Sequence, residues 1–198
     1  PLSKHYLTIL REKSTTFEIF RSAASKLSYL LIIEATKNLE LDEKTINTPL
    51  TSTLGYELSS NTVAVSVLRA GLGLIDGPKD LIPHMTFGYI GVQRNEKTAQ
   101  PENYYQNLPE IKGKNVFILE PMLATGGSLS FAIDTVKKYE PSNIFALTII
   151  SSPEGIKLIS DKHPEINLLT ASIDEKLNEQ SFIVPGLGDM GDRLFGTV

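Results

Sequence analysis

A short turn in the middle of the chain has the composition of an anion-binding site. Thr125, Gly126, Gly127 and Ser128 follow an apolar run and precede a helical pattern. Their hydroxyls and unobstructed amides would lie at the positive end of a helix, where a phosphate group binds favourably. The chain has no G-x-x-x-x-G-K-[ST] motif, so the turn is not a Walker loop. These residues alone fit an anion site and an ordinary glycine-containing β–α turn equally well.

A carboxylate ends the apolar run that precedes this turn. Glu120 follows VFIL, a sequence typical of a strand that is buried on both faces. A carboxylate in such a place is costly unless something hydrogen-bonds it. Sugar hydroxyls or a metal-linked water could fill that role, and so could an N-cap or a surface ion pair.

Two arginines lie within two residues of the ends of predicted strands. Arg69 comes after TVAVSVL, and its fixed fork of donors suits phosphate oxygens, although a structural salt bridge, for example with Asp76, is the simpler interpretation. Arg94 begins a long polar stretch, where a solvated surface charge would be ordinary. Tyr104 and Tyr105 in the same stretch could cover a ligand or anchor the loop.

The segment IVPGLGDMGDRLFG contains a glycine pattern that resembles a dinucleotide motif. Gly186, Gly188 and Gly191 spell G-x-G-x-x-G. The dinucleotide fingerprint requires a following helix and an acidic residue about twenty positions later. Only seven residues follow Gly191 in the sequence, so we expect neither that helix nor a dinucleotide site here.

Other kinds of catalytic site have little support in the sequence. The chain has no cysteine, which excludes thiol catalysis, disulfides and cysteine-built zinc sites. His5, His84 and His163 are scattered, and nothing resembles a Ser–His–Asp arrangement or a metal-ligand cluster. His84 and His163 each neighbour a proline near a predicted element boundary, so we expect surface or capping roles for both.

The elements that must position these residues alternate between strands and helices. A capping box formed by Thr15 and Glu18 would start a helix from about Thr16 to Leu39, and residues 48–58 suggest a hairpin or an irregular β segment. The predicted strands cover residues 62–68, 85–92, 116–120, 144–150 and 166–173. Between them lie a short helix that ends near Pro83, a long polar loop over 93–115, a helix with Leu129, Ala132, Ile133, Val136 and Tyr139 on one face, and a helix from Ser152 and Pro153 to about Asp161.

This alternation predicts an α/β fold in which a central parallel sheet is flanked by helices on both faces. We expect one domain over residues 1–198, with an N-terminal helical appendage over 1–40 and a C-terminal segment over 174–198. Ligands of such sheets bind beyond the carboxyl ends of the strands. The chemistry-bearing loops after Leu68, Val92, Leu119 and Ile173 are therefore expected to share one edge.

Composition and charge narrow the function classes. The chain has 198 residues, a formal net charge of −4 and no block of Lys or Arg, which argues against a nucleic-acid or membrane surface. No run approaches membrane-spanning length, and the N-terminus, which begins at Pro1, has no signal-peptide pattern. We therefore expect a cytoplasmic protein with a compact site for a phosphorylated small molecule.

Taken together, these stretches resemble the uracil phosphoribosyltransferase family over nearly the whole chain. The resemblance rests on VLRAGLGLIDG, EPMLATGGS, TASIDEKLNE and FIVPGLGDMGDRLFGT, together with KHYLTILREKSTTFEIFR near the N-terminus. It implies the type I phosphoribosyltransferase fold with a mobile hood. The implied reaction converts uracil and 5-phosphoribosyl 1-diphosphate (PRPP) to UMP and diphosphate, with Mg²⁺ as cofactor.

The resemblance also assigns roles to residues. Glu120 would address the ribose hydroxyls, Arg69 and Arg94 the diphosphate, and Asp189 a water on Mg²⁺ that is carried mainly by the diphosphate. The implied PRPP-binding loop consists of Glu120, Pro121, Met122, Leu123, Ala124, Thr125, Gly126, Gly127 and Ser128. The implied uracil contacts, largely through main-chain groups, are Ile183, Gly188, Asp189 and Met190.

The resemblance has two departures and leaves other questions open. The family usually has Asp at the position of Glu120 and Pro at the position of Ser66, so ribose contacts and the end of the first central strand could differ here. A transferase that acts on another base and a non-catalytic nucleotide sensor are the alternatives. The resemblance further implies self-association as a dimer or tetramer, and it leaves regulation by GTP open.

Overall fold

Two helices precede the first strands of the chain. The computed structural model describes residues 1–59, 61–94 and 101–197. Helix α1 spans Leu2–Arg11 and helix α2 spans Phe17–Ala35. The predicted capping box is wrong, because Thr15 donates its hydroxyl to the carbonyl of Ile9 (2.7 Å) and Thr16 is the N-cap. Helix α2 also ends earlier than predicted, at Ala35, and Thr36 is its C-cap.

A separate antiparallel hairpin follows these helices. Strands β1 (Leu41–Asn47) and β2 (Ser52–Leu58) pair with each other alone, and Asn47 lies opposite Ser52. The hairpin prediction for residues 48–58 is confirmed for β2, but β1 precedes that range and was not predicted as a strand. Every residue of β1 is exposed. Strand β1 therefore lacks the buried alternating face by which strands are recognised in a sequence.

A seven-stranded sheet forms the centre of the molecule. Its strands are β3 (Thr62–Leu68), β4 (Thr86–Arg94), β5 (Pro101–Asn107), β6 (Asn115–Leu119), β7 (Met122–Leu123), β8 (Asn143–Ser151) and β9 (Asn167–Ile173). Strand β3 pairs in parallel with β4 and β6, and β8 pairs in parallel with β6, β7 and β9. The five predicted strands are confirmed, and their carboxyl ends point in one direction.

One edge of the sheet differs from the prediction. Strand β5 pairs antiparallel with β4, so the sheet is mixed and part of the predicted 93–115 loop is a strand. The sequence PENYYQN gives no apolar alternation, and its pairing depends on a long-range contact in which the ring of Tyr104 packs against Gly91. This contact supports the anchoring interpretation of Tyr104. Residues 95–100, on which the expected hood motion partly falls, lie outside the described residues.

Helices cover both faces of the sheet, as predicted. A 3₁₀ helix over Ala70–Leu74 and α3 (Asp76–Leu81) follow β3, α4 (Gly127–Lys137) follows β7, and α5 (Pro153–Lys162) follows β8. Alternate residues of β3 point to opposite faces, so Ala64 packs with α1 and α2 whereas Val63 and Val65 pack with α4 and α5. No helix in the described part of the chain is long and apolar enough to cross a membrane.

The C-terminal segment contains short elements that the sequence did not reveal. Strands β10 (Lys176–Leu177) and β11 (Ile183–Val184) form a small antiparallel pair, and helix α6 spans Met190–Phe195. The prediction that no helix follows the glycine pattern is therefore wrong. Asp189 caps α6 by accepting the Asp192 amide (2.9 Å), a local interaction that favours one further helical turn.

Candidate active site

The segment around β7 that leads into the Thr125–Ser128 turn is hydrogen-bonded to β8 and to the start of α5. The carbonyl of Pro121 accepts the amides of Ile149 (2.9 Å) and Ile150 (3.1 Å), which fixes the turn to β8. The hydroxyl of Ser152 donates to the carbonyl of Ala124 (2.6 Å) while it caps α5 through the Gly155 amide (2.9 Å). One serine therefore fulfils the predicted cap and also positions the turn.

Two glycines of this turn serve different purposes. Gly126 has a φ of +84°, and a Cβ there would lie 3.1 Å from a methyl of Leu158 and 3.3 Å from the carbonyl oxygen of Gly155. Gly127 faces open space, because a Cβ there would meet only the hydroxyl of Thr125, at 3.8 Å. Helix α4 begins at Gly127 without an acidic residue in its first turn. The turn thus presents an open, positively polarised helix end.

Glu120 is buried at the base of the turn. Only 8 % of the residue is exposed, so the surface ion-pair interpretation is wrong. Burial raises the pKa of the Glu120 carboxyl to about 8, and a hydrogen bond from the Met122 amide opposes that shift only in part. The carboxyl is therefore mostly protonated near neutral pH before a ligand binds, and it can donate a hydrogen bond.

Arg69 contacts the C-terminal segment. Its Nη2 lies 3.2 Å from Oδ1 of Asp192, so the suggested pairing with Asp76 is wrong. The Leu68–Arg69 peptide bond is cis. The side chain of Arg69 is 54 % exposed, which leaves the guanidinium accessible to an incoming anion. Arg94 ends β4, and the position of its side chain lies outside what the structure describes.

The glycine-rich C-terminal segment and two residues just before the Thr125–Ser128 turn line one cleft of about 240 Å³. The four residues predicted to contact uracil all line it, and Met122 of β7 and Ala124 form its adjoining wall. The lining residues are Ala70, Met122, Ala124, Ser181, Phe182, Ile183, Gly188, Asp189, Met190 and Gly191. Its volume lies below the roughly 300–1,000 Å³ of pockets for drug-sized ligands, which suits one small planar molecule.

Several residues of this cleft were not predicted from the sequence. Ala70, Ser181, Phe182 and Gly191 line it, and a single hydroxyl, aromatic ring or small residue is too common in proteins to mark a ligand contact. Ala70 adjoins Arg69 and Phe182 adjoins Ile183, so proximity along the chain was the available signal. Asp189 is exposed at the mouth of the cleft and holds the start of α6.

Ser130 and His163 have the residue types of a nucleophile and a base, but not the arrangement. His163 is buried rather than on the surface, and its Nε2 lies 2.9 Å from the Ser130 hydroxyl. Its Nδ1 lies 2.8 Å from Nζ of Lys137, which can only donate, so the ring hydrogen resides on Nε2. Burial and Lys137 lower the pKa of His163. The imidazole therefore donates to Ser130 and cannot remove its proton.

Similar proteins were found by sequence and by structure. A sequence model of the uracil phosphoribosyltransferase family matches residues 1–197. A relative from Malacoplasma penetrans, named uracil phosphoribosyltransferase, is 49 % identical over 198 residues, which is 100 % of this chain and 96 % of the relative. A structure of the AQ2163 protein from Aquifex aeolicus is 39 % identical, with a TM-score of 0.94, and the match covers 98 % of this chain and 94 % of that one.

A more distant structure extends the likeness at the level of the fold. Hypoxanthine phosphoribosyltransferase from Trypanosoma cruzi is 17 % identical, with a TM-score of 0.53 over 82 % of this chain and 76 % of that chain. The resemblance inferred from the sequence motifs is confirmed, and so is the type I phosphoribosyltransferase fold. The chain belongs to the uracil phosphoribosyltransferase family.

Proposed function

We infer that this protein transfers the 5-phosphoribosyl group of PRPP to uracil, giving UMP and diphosphate for pyrimidine salvage. The single observation that carries this assignment is that the cleft of about 240 Å³ is lined by Met122 and Ala124, which lie just before the open start of α4 in the chain. A phosphate bound at the helix end would place the attached ribose toward Met122 and Ala124. The base would then lie against the glycine-rich segment.

The reaction explains why the site needs no protein nucleophile. The bond from ribose C1 to the diphosphate oxygen breaks, the bond from C1 to the uracil nitrogen forms, and the proton of that nitrogen is released to the solvent. The sugar becomes cationic as the diphosphate departs, so catalysis depends on positioning and on charges placed in advance. Arg69 supplies such a charge, and among the described residues its ion-pair partner is the partly exposed Asp192.

Recognition of the base would come from main-chain groups. Uracil presents alternating carbonyl acceptors and N–H donors along its edge, and a peptide backbone offers the complementary alternation. Ile183, Gly188 and Met190 line the cleft and supply those groups. Cytosine would oppose an amino donor to a backbone N–H and leave a buried group unpaired, which disfavours it strongly.

Mg²⁺ is part of this proposal as a partner of the diphosphate. The described residues include no cluster of three or more His, Asp or Glu side chains that could hold a metal by themselves. One oxygen of Asp189 caps α6, and the exposed carboxylate suits a water-mediated contact better than a protein cage. The ion would neutralise charge on the departing diphosphate. Loss of turnover in excess chelator, restored by added Mg²⁺, would support this role.

Self-association is proposed from the exposed hairpin. Its outward apolar side chains are Leu41, Ile46, Leu50, Leu54 and Tyr56, and Leu50 is 95 % exposed. A second copy of the chain would remove these side chains from water. We therefore propose a dimer or tetramer.

We further propose GTP as an effector and the cytoplasm as the location of the protein. Sedimentation measures the oligomer, initial rates with and without GTP test the effector, and cell fractionation tests the location.

The decisive experiment incubates the protein with PRPP, Mg²⁺ and one base at a time. Formation of UMP from uracil, with little product from cytosine or purines, supports the assignment. Nucleotide formation from a different base would indicate another phosphoribosyltransferase. Binding of PRPP or UMP without turnover would instead indicate a nucleotide sensor.

A further inference from the structure

The last residue of helix α1 is joined to the glycine-rich segment. Arg11 Nη1 donates to Oδ2 of Asp174 (2.7 Å) and Nη2 donates to Oδ1 (2.5 Å), so the ion pair is bidentate. Nη1 also donates to the carbonyl of Gly186 (2.8 Å). The side chain of Asp174 is only 1 % exposed. This geometry gives a rigid link between two parts of the chain that are 163 residues apart.

Asp174 completes the link from the other side. Its Oδ2 accepts the amide of Gly186 (2.9 Å), so Arg11 and Asp174 together bind both polar main-chain groups of that glycine. Burial alone would raise the pKa of Asp174, but the hydrogen bonds from Arg11 and Gly186 outweigh it and lower the pKa. The carboxylate is therefore charged at neutral pH and holds Gly186 in place.

Gly186 lies at the centre of the turn that shapes the cleft. Its φ is +64°, and a Cβ at this position would overlap the carbonyl oxygen of Ile183. Ile183 and Gly188, which line the cleft, lie on either side of this turn. Because both polar main-chain groups of Gly186 are hydrogen-bonded, its orientation is fixed, and that orientation determines how the main chain at Ile183 and Gly188 faces the cleft.

A second arginine also links the glycine-rich segment to helix α1, this time from the side of helix α6. Arg193 of α6 donates to the carbonyl of Leu187 (2.8 Å) and to the carbonyls of Leu10 and Glu12 around the end of α1. Its guanidinium lies over the ring of Phe20, 4.4 Å from the centroid. The carbonyls of two successive residues of the turn, Gly186 and Leu187, are thus each bound by a different arginine.

We propose that Arg11 is a positioning residue for uracil, and that helix α1 is thereby part of the base-binding machinery. Arg11 does not line the cleft, so it acts through Gly186. The proposal rests on the proposed function of the same site. It predicts that a change at Arg11 weakens binding of uracil more than binding of PRPP. The turn expected to bind PRPP is held by Ser152 at the start of α5 and not by Arg11.

The test compares Arg11→Lys with a matched control, Arg21→Gln. Arg21 also reaches the C-terminal segment, at the carbonyl of Leu194 (3.3 Å), but outside the cleft. Lysine keeps the charge of Arg11 but cannot bind Asp174 and Gly186 as a fork. We expect the KM for uracil to rise about tenfold or more and the KM for PRPP to change less than about threefold, together with weaker rejection of cytosine. The control should match the unmodified protein in all three.

A second variant covers the case in which loss of Arg11 prevents folding. Arg11→Gln combined with Asp174→Asn removes both charges and leaves no unpaired carboxylate. Calorimetric binding of UMP and of PRPP should then show weaker UMP binding with PRPP binding retained. Equal losses for both ligands, or no change in either, would overturn the proposal. If the unmodified protein forms no UMP from uracil, the proposed function fails first, and the two failures are distinguishable.

Discussion

Arg69 of the loop after β3 pairs with Asp192 of helix α6, with 3.2 Å between Nη2 and Oδ1. Arg69 and Asp192 adjoin the cleft residues Ala70 and Gly191 in the chain, so the pair links two parts of the cleft lining by groups that remain partly in solvent. An ion pair of this kind adds little to stability, because water and salt screen it. Its value lies in holding a cation where the diphosphate is expected to bind.

Arg69→Ala should therefore separate activity from stability. We expect kcat/KM for PRPP to fall by about 100-fold, because a charge placed for the departing diphosphate is lost. Tm should change by no more than about 3 °C, since the lost ion pair is exposed. Asp192→Asn removes the pair but keeps the guanidinium, so it should retain most of the activity. Parallel losses of activity and Tm in Arg69→Ala would assign Arg69 a structural role.

Glu120 should make the stability of the ligand-free protein fall as pH rises. Its pKa is about 8 in the folded chain against a reference value of 4.5, so the folded state retains a proton that the unfolded state loses between these values. The contribution is fully present below pH 4.5 and is lost through about pH 8, at up to about 1.4 kcal/mol per pH unit.

Urea unfolding at about pH 5, 6.5 and 8 measures this slope. Glu120→Gln is a neutral replacement of similar size, and the unfolding free energy of the unmodified protein should decrease relative to that variant across this range. A constant difference would show that the carboxyl titrates normally.

Glu120→Asp introduces the residue usual in the family and should retain or raise UMP formation, because its carboxylate can still reach the ribose hydroxyls.

The main strands could be predicted because their sequences carry buried, β-branched runs. TVAVSVL and VFIL form β3 and β6 at the centre of the sheet, where both faces are covered. Strands β1 and β5 were missed because most of their residues are exposed or depend on distant partners, such as Gly91 for Tyr104. Sequence patterns report local burial, and they do not report which edge a polar strand will join.

The site shows the same division. The turn over Thr125 to Ser128 and the cleft residues Ile183, Gly188 and Met190 follow from short local motifs. The structure places Ala124, the residue before that turn, in the cleft with the other three. The contact of Arg11 with Gly186 joins helix α1 to the distant glycine turn, and no local pattern indicates it. The pairing of Arg69 with Asp192 instead of Asp76 has the same origin.

Ser66 offers a test of a departure from the family pattern. Strand β3 continues through Leu68, so serine in place of the usual proline does not shorten it. The Ser66 hydroxyl is fully buried and has no hydrogen-bond partner among the residues that the structure describes. Such a group costs about 1–3 kcal/mol. Ser66→Ala should therefore raise the unfolding free energy by about 1 kcal/mol in urea titrations.

Ser28 provides the matched control for that measurement. Its hydroxyl is also buried but donates to the carbonyl of Ser25 (2.7 Å) and accepts the amide of Gly77 (2.8 Å). Ser28→Ala should lower the unfolding free energy by about 1 kcal/mol or more, because the Gly77 amide loses its partner. If both alanine variants lose stability alike, the Ser66 hydroxyl has a partner after all.

Gly127→Ala should weaken PRPP binding without weakening the fold. A Cβ at this position enters open space beside the hydroxyl of Thr125, where the phosphate is expected to lie. Alanine favours the helix by up to about 1 kcal/mol over glycine, so Tm should stay the same or rise. The KM for PRPP should rise by about tenfold, the equivalent of one lost hydrogen bond to a charged group.

Gly126→Ala serves as a comparison, because a side chain at Gly126 would disturb the fold, whereas one at Gly127 would enter only open space. Gly126→Ala places a side chain at a φ of +84° and against the start of α5, so it should lower Tm as well as PRPP affinity. Gly127→Ala should differ from it by keeping its Tm. An unchanged KM for PRPP in a stable Gly127→Ala protein would place the phosphate away from this turn. Met122 and Ala124, which precede the turn, line the base cleft. That result would therefore also require a different binding position for the ribose of PRPP.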